Sequence, residues 1–408
     1  MAAAAGDAGE WSYWRALRSG RLGALLAGNL ISSVGNGMII SALPLLTLQI
    51  RGGIPAGLAI ALVQASPYIL ASVLALTLGL SRLRIPPRAL LIWDSMLRSA
   101  TFILLGTLAV TGTLTLWMLV GGLLAGSVFQ IASNSSRRLL ATGMTGPAGQ
   151  FAVNGLLGTS SSVAAYAVGP VLGGIVATAA SPGVALIVDG LTFVPMLGAV
   201  CFAVSAAPRP AGGRLAPESG LRIMRAVPPA ARLFVVVFCF NLFYMPVEVA
   251  LPLLVRGQLH GSGAALGLIW SGFGAGALLG GMGTMLLRRV RRQRVLVTII
   301  GAWAGAVLLL ALSPAVIFAV AAFFLGGLIY APFTPIAYTY VQSMLTPDEQ
   351  QPVITLWAAG AVLAAPVGLA LAGPLVSAAG ARNAMIISAL LTIALVPLAA
   401  GSLRRARP

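Results

Sequence analysis

"ALLIWDSMLRSATFILLG", Ala89 to Gly106, is apolar along its length apart from a few hydroxyls, one acid and one base. Coiled as a helix at ~1.5 Å per residue, such a stretch nearly crosses a hydrocarbon core of roughly 30 Å. Asp94 and Arg98 sit inside it, where each charge costs roughly 2.5–3.5 kcal/mol on insertion scales. Residues four apart share a helix face, and a paired acid and base cost far less than two lone charges. The stretch therefore reads as a membrane span. Asp94 and Arg98 are expected to form a structural ion pair that ties it to its neighbours, and Asp94 also stands as a candidate proton carrier.

The rest of the chain supports a membrane reading. Of 408 residues, 59% are hydrophobic and 8% charged, and the mean hydropathy is +0.98. A soluble chain carries about a quarter charged residues. The apolar stretches are continuous rather than alternating, which excludes a β-barrel. Twelve spans are expected, at about 22–46, 55–80, 89–112, 114–135, 150–178, 183–206, 231–255, 263–287, 295–312, 315–341, 351–377 and 384–401. No cleavable signal precedes Leu22, and "WSYWRALRSGR" interleaves aromatic and basic residues as a helix lying on the membrane surface would.

The net charge of +17 invites a nucleic-acid reading, but its placement explains it better. All 25 basic residues are arginine, and alternate connections carry nearly all of those outside the spans. Only Arg51, Arg256 and Arg382 fall on the poorer side. Because positive residues stay cytoplasmic, both termini are expected on the inner side of a cell inner (plasma) membrane. Cys201 and Cys239 lie in apolar spans and read as small buried side chains, with no disulfide, metal or cofactor implied.

Two sequence halves echo one another. "TGPAGQFAVNGLL" from Thr145 has its counterpart in "LTPDEQQPVITLW" from Leu345, about 200 residues on, and "VGPVLGGIVA" from Val168 is echoed by "AAPVGLALAG" from Ala364. The expected organisation is a cytoplasmic segment 1–21 bearing the surface helix, a six-helix half 22–206, a cytoplasmic linker 207–230, a second six-helix half 231–403 and a tail 404–408. Two parallel halves related by an axis along the membrane normal is a known transporter plan.

Several polar residues stand out against this background. Glu248 in span 7 has no arginine near it in sequence, and shares a helix face with Asn241 and Tyr244 beside Pro246. It could exchange a proton or attract a cationic substrate. Asn29, Ser32, Ser33 and Asn36 form a polar stripe on span 1 that must face protein or water rather than lipid. Gln64, Gln130, Tyr330 and Tyr338 are further candidates for a substrate cavity, and Asp189 in span 6 is a third possible proton carrier. Helix packing accounts for most of these residues nearly as well. The glycines Gly272, Gly276 and Gly280 of span 8 suit close helix contact, not a nucleotide loop. No metalloprotease, Walker or nucleophile-elbow motif is present, so an enzyme is not expected.

"GNLISSVGNGMIISALPLL" in span 1, "DSMLR" in span 3, "VGPVLGG" followed by "LIVDGLTF", and "SMLTPDEQQPVITLWAAGAVLAAPVGLALAGPL" together resemble the major facilitator superfamily over nearly the whole chain. They are most similar to its bacterial macrolide-efflux and enterobactin-exporter branch. The resemblance implies an all-α membrane protein of twelve transmembrane helices in two parallel six-helix halves. It also implies export of a small amphipathic compound by proton-coupled antiport, with the bilayer and protons as partners and a monomeric state. Gly79, Arg84 and Arg88 match part of the family's first cytoplasmic loop, with Leu83 where its acid stands. Gly169, Pro170, Gly173 and Gly174 match its antiporter motif. A facilitator or importer, and a receptor-like protein that does not transport, are the alternatives.

Overall fold

The computed structural model describes residues 13–77, 86–203, 217–284, 287 and 290–403. The elements are α1 (Tyr13–Arg18), α2 (Gly20–Ile50), α3 (Ala56–Thr77), α4 (Pro87–Val110), α5 (Leu116–Gly126), α6 (Gln130–Gly143), α7 (Gly146–Val163), a π-helical turn (Ala164–Val168), α8 (Gly169–Ala179), α9 (Pro182–Ala203), α10 (Pro217–Ala226), α11 (Pro228–Gly257), α12 (Gly263–Gly283), α13 (Arg292–Ala311), α14 (Val316–Tyr330), α15 (Phe333–Gln342), α16 (Pro347–Ala379) and α17 (Ala381–Leu403). Among the described residues there is no strand. Nine helical runs there are long and apolar enough to cross a membrane, and three shorter apolar helices, Ala56–Leu70, Leu116–Gly126 and Leu363–Ala379, fall within the remaining expected spans.

Three spans expected as single helices are not regular. Span 4 breaks between α5 and α6, where the backbone N–H groups of Ser127, Val128 and Gln130 turn to the carbonyls three residues back, of Leu124, Ala125 and Ser127. Beyond that turn the chain stays helical to Gly143, past the expected end of the span. Span 10 breaks at Ala331 and Pro332, where proline brings no N–H to continue the ladder. The two breaks fall about 200 residues apart, the same offset at which the sequence repeats itself. Span 5 passes through a π turn at Ala164–Val168, immediately before Gly169 and Pro170.

The helices run up and down. One end of the bundle has only short connections, the tightest being Gly380, whose φ of 80° lets a single residue join α16 to α17. A side chain is strained at that φ, so glycine is required there. The other end carries Tyr13 and Leu403, the first and last described residues, and the longer connections. The largest apolar core is drawn almost wholly from Met224 to Ala399, around the fully buried Trp303. Four aromatic rings, of Tyr330, Tyr244, Phe273 and Phe240, pack on it with centroids 5.3, 5.5, 6.2 and 6.4 Å away. Outward faces remain apolar, with Ile317, Phe318 and Leu398 exposed where lipid would lie. Cys201 is likewise exposed on α9 and Cys239 half-buried, so the expected burial of both thiols is corrected.

Lipid is as apolar as leucine, so helices in a membrane associate by close packing of small residues rather than by excluding water. The motif of span 5 does this on two sides. Gly169 lies against Gly37, and Gly173 against Met38, both of α2. Gly174 lies against Gly263, and Pro170 against Gly267, both of α12. The Thr178 hydroxyl accepts from Ala264 N at 3.1 Å, and the Ser271 hydroxyl donates to Ala167 O at 2.5 Å. Contact between this span and α12 is broad along α8 and thin along α7. A second seam joins α3 to α16, where Ser377 Oγ accepts from Leu58 N at 3.1 Å and Gly57 lies against Gly373. These contacts close the bundle at its short-loop end.

Candidate functional site

Between the seams lies a cavity of about 630 Å³. It reaches the terminal end of the bundle, where the exposed Asn134 and Arg138 line it. Helices α2 to α7 and the π turn supply most of the wall, and Glu248 of α11 and Trp270 of α12 face them from the other side. Of the expected cavity residues, Asn29, Ser33, Asn36, Gln64 and Gln130 line it.

The polar stripe of α2 has a more specific job than lining. Asn29 and Asn36 each hold an arginine. Asn29 Oδ1 accepts from Arg137 Nη1 at 2.6 Å, while its Nδ2 donates to Ser161 Oγ at 2.9 Å. Asn36 Oδ1 accepts from Arg98 Nη2 at 2.6 Å, and its Nδ2 donates to Ser32 O at 2.8 Å. Ser33 Oγ completes the group, 3.3 Å from Ser161 Oγ. Each carboxamide is thus anchored through its donor and presents its acceptor to a guanidinium.

The expected ion pair within α4 does not form: among the described residues no ion pair joins Asp94 and Arg98. Arg98 turns to Asn36 instead and lies over the ring of Phe193, 4.6 Å from its centroid, with Phe102 at 5.8 Å. A desolvated cation over aromatic faces gains ~2 kcal/mol. With the charge-assisted bond, worth about 1.5–3 kcal/mol, this outweighs one bridge along the same helix. Arg98 acts electrostatically on Asp189, which is buried in α9 against Gly35 of α2. Asp94, also buried, acts on Arg137. The acid and the base of α4 therefore reach outward to different helices. Neither Asp94 nor Asp189 lines the cavity. Asp94 Oδ1 and Asp189 Oδ2 have no hydrogen-bond partner among the described residues.

Glu248 is the one carboxylate in the cavity wall among the described residues. It interacts with Tyr244 one turn earlier and with Tyr68 of α3 and Tyr166 of the π turn. Tyr68 and Tyr166 also line the cavity. The acid therefore stands where the two faces of the cavity meet.

Four expected cavity residues lie elsewhere. Asn241 Oδ1 accepts from Tyr330 OH at 3.1 Å, and Tyr330 and Tyr244 pack into the Trp303 cluster. Tyr338 packs on Trp357 with centroids 5.7 Å apart. Packing on Trp303 claims Tyr244 and Tyr330, packing on Trp357 claims Tyr338, and Tyr330 in turn holds Asn241, because ring burial outweighs exposure of one hydroxyl. Gly169, Pro170, Gly173 and Gly174 serve the seam described above. Arg88 Nη2 donates to Cys201 O at 3.4 Å, and Gly79 and Arg84 lie outside the described residues.

The reading along the sequence missed Tyr68, Tyr166, Trp270 and, above all, Arg137 and Arg138. A signal for the two arginines was there. Gln130, Asn134, Arg137 and Arg138 fall at i, i+4, i+7 and i+8, one face of a helix. With span 4 expected to end at 135, both fall instead in the connection that follows it.

A family model described as Major Facilitator Superfamily matches residues 233–408. The chain is 26% identical over 382 residues to the multidrug efflux pump Tap of Mycolicibacterium fortuitum, covering 89% of this chain and 91% of that protein. Among solved structures it is similar to the nucleoside transporter NupG, with a TM-score of 0.76 at 12% identity over 93% of this chain and 98% of that one. It is also similar to a bacterial homolog of the human lysosomal transporter Spinster in an inward-facing, unoccupied conformation, with a TM-score of 0.71 at 14% identity over 95% and 98%.

Proposed function

We propose that this chain is a multi-pass membrane transporter of the major facilitator superfamily, a secondary-active exporter of small amphipathic drugs or natural products driven by proton antiport; similarity to that family's model over 233–408 and to an efflux pump supports the reading. Similarity to an efflux pump supports the direction of transport. The observation that carries the mechanism is Glu248, an acid that shares the cavity wall with Tyr68 and Tyr166.

The arginine distribution favours cytoplasmic termini, in which case the closed short-loop end faces outward and the cavity opens to the cytoplasm. Substrate enters from that side. The halves 22–206 and 231–403, joined by the linker 207–230, rock about the cavity, and the seams of α8 with α12 and α3 with α16 part. A proton from outside then neutralises Glu248. Substrate leaves, the seams close, and the proton passes to the cytoplasm. The protein works as a monomer in the plasma membrane.

Everted membrane vesicles with an acid interior and a pH dye test this. Some lipophilic compound is expected to discharge the gradient with the wild-type protein and not with Glu248→Gln. Equal discharge by the variant would remove Glu248 from the coupling path and pass the role to Asp94 or Asp189.

A further inference from the structure

We infer that the compound held in this cavity carries an oxyanion at one end, so that the substrate is an amphipathic organic acid rather than a lipophilic cation. The inference rests on the transporter reading above for the purpose of the site, and on geometry for the charge.

Three guanidinium groups line the cavity, Arg98 of α4 and Arg137 and Arg138 of α6, against one carboxylate. Among the described residues none of the three has an acid within ion-pair distance. The acids that act on them, Asp94 on Arg137 and Asp189 on Arg98, are buried behind the wall and do not line it. Glu248 interacts instead with the tyrosines Tyr68, Tyr166 and Tyr244. The lining is thus polarised, with cationic groups towards the terminal end and an acid among tyrosines away from it.

These arginines are held for use. A guanidinium has five N–H donors in a fixed fork. Asn36 takes one from Arg98, and Asn29 takes one from Arg137. Nε of Arg137 has no partner among the described residues, and Arg138 is exposed. Asn29 and Asn36 are two helical turns apart, so the groups they orient are spaced by about 10 Å along α2. A carboxylate, phosphate or sulfate takes such a fork through two parallel bonds, which a cation or a neutral group cannot do. Beyond the forks, Phe102, Tyr166 and Trp270 offer flat surfaces for an apolar body. The volume suits a drug-sized molecule. A lipophilic cation would meet three like charges, a repulsion that excludes the wrong class as well as attracting the right one.

The test uses the purified full-length protein in phosphatidylcholine nanodiscs and three fluorophores with one body, read by dansyl fluorescence. Dansylglycine carries a carboxylate, dansylamide is neutral, and N-dansylethylenediamine is cationic. Dansylglycine is expected to bind at least about tenfold more tightly than the other two. Arg137→Gln and Arg138→Gln are each expected to erase most of that preference. Arg138 is exposed, so its variant folds even if Arg137→Gln does not. Equal binding of the three, preference for the amine, or no binding of dansylglycine up to millimolar concentration would each overturn the inference. Repetition in phosphatidylglycerol discs separates a substrate from a lipid: loss of dansylglycine binding there assigns the arginines to a headgroup and overturns it as well. Preference for the acid without proton exchange in vesicles keeps the charge assignment and removes antiport. Proton exchange with preference for the amine does the reverse.

Discussion

Gly267→Ala should shift the transporter away from the conformation described here. A Cβ at position 267 would drive into the carbonyl of Pro170 and the backbone of Val171 on α8. Backbone cannot swing aside as a long side chain can, so α8 and α12 must part. Overpacking of this kind costs about 1–3 kcal/mol. The helix-propensity gain of alanine over glycine, up to ~1 kcal/mol, is common to both conformations and cancels. If the clash exists only while the short-loop end is closed, the equilibrium between closed and open seams moves by about 5- to 150-fold. Spin labels at Gly53 and Gln258, both exposed in short-loop connections, report that opening in a background lacking Cys201 and Cys239. Electron–electron resonance should show a longer-distance population growing in Gly267→Ala. Gly281→Ala on the same helix, where nothing lies within 4 Å, is the control and should leave the distances as in wild type. An unchanged distribution for Gly267→Ala, in protein as stable as wild type, would refute the assignment of α8 and α12 as a gate.

Ser271→Ala removes the hydroxyl that donates to Ala167 O across the same seam, and should move the spin-label populations the same way by about threefold, given a typical interhelical bond near 0.6 kcal/mol. Asn36→Ala leaves Arg98 buried without its acceptor, so thermal unfolding in detergent should report a loss of about 1–3 kcal/mol or more. Asn36→Ser, which keeps an oxygen, should recover part of it. Trp303→Ala opens a hole in the aromatic core and should cost about 3–5 kcal/mol by the same melting assay, while leaving dansylglycine binding in surviving protein intact.

Much of the architecture was legible because the bilayer imposes a simple rule: a long apolar stretch must be a helix, and arginines sort between its ends. Glu248 was legible for a related reason, as an acid in an apolar stretch with no base near it. What the sequence hid was local. The break before Gln130 is a tightening of backbone bonds around Ser127 that any residue can make, so it has no distinctive mark in the sequence, and the extension of α6 to Gly143 is hidden with it. Arg137 and Arg138 consequently look like charges of a connection. Asp94 and Arg98 invited pairing by their spacing, yet Asn36 and the ring of Phe193, far away in sequence, drew Arg98 off. Tyr244, Tyr330 and Tyr338 carry hydroxyls that suit a cavity, but spacing cannot say that Trp303 and Trp357 stand on the same side.

The central claim, that Glu248 exchanges a proton for substrate, is tested most directly in proteoliposomes that separate driven transport from simple exchange. Purified wild type and Glu248→Gln would be reconstituted with a compound found active in vesicles. Uptake would be measured once under an imposed pH gradient and once as counterflow against unlabelled compound with no gradient. Glu248→Gln is expected to lose the gradient-driven flux while counterflow continues, since the cavity and its alternation remain and only the proton step is gone. Full gradient-driven flux in Glu248→Gln would contradict the coupling role of this residue.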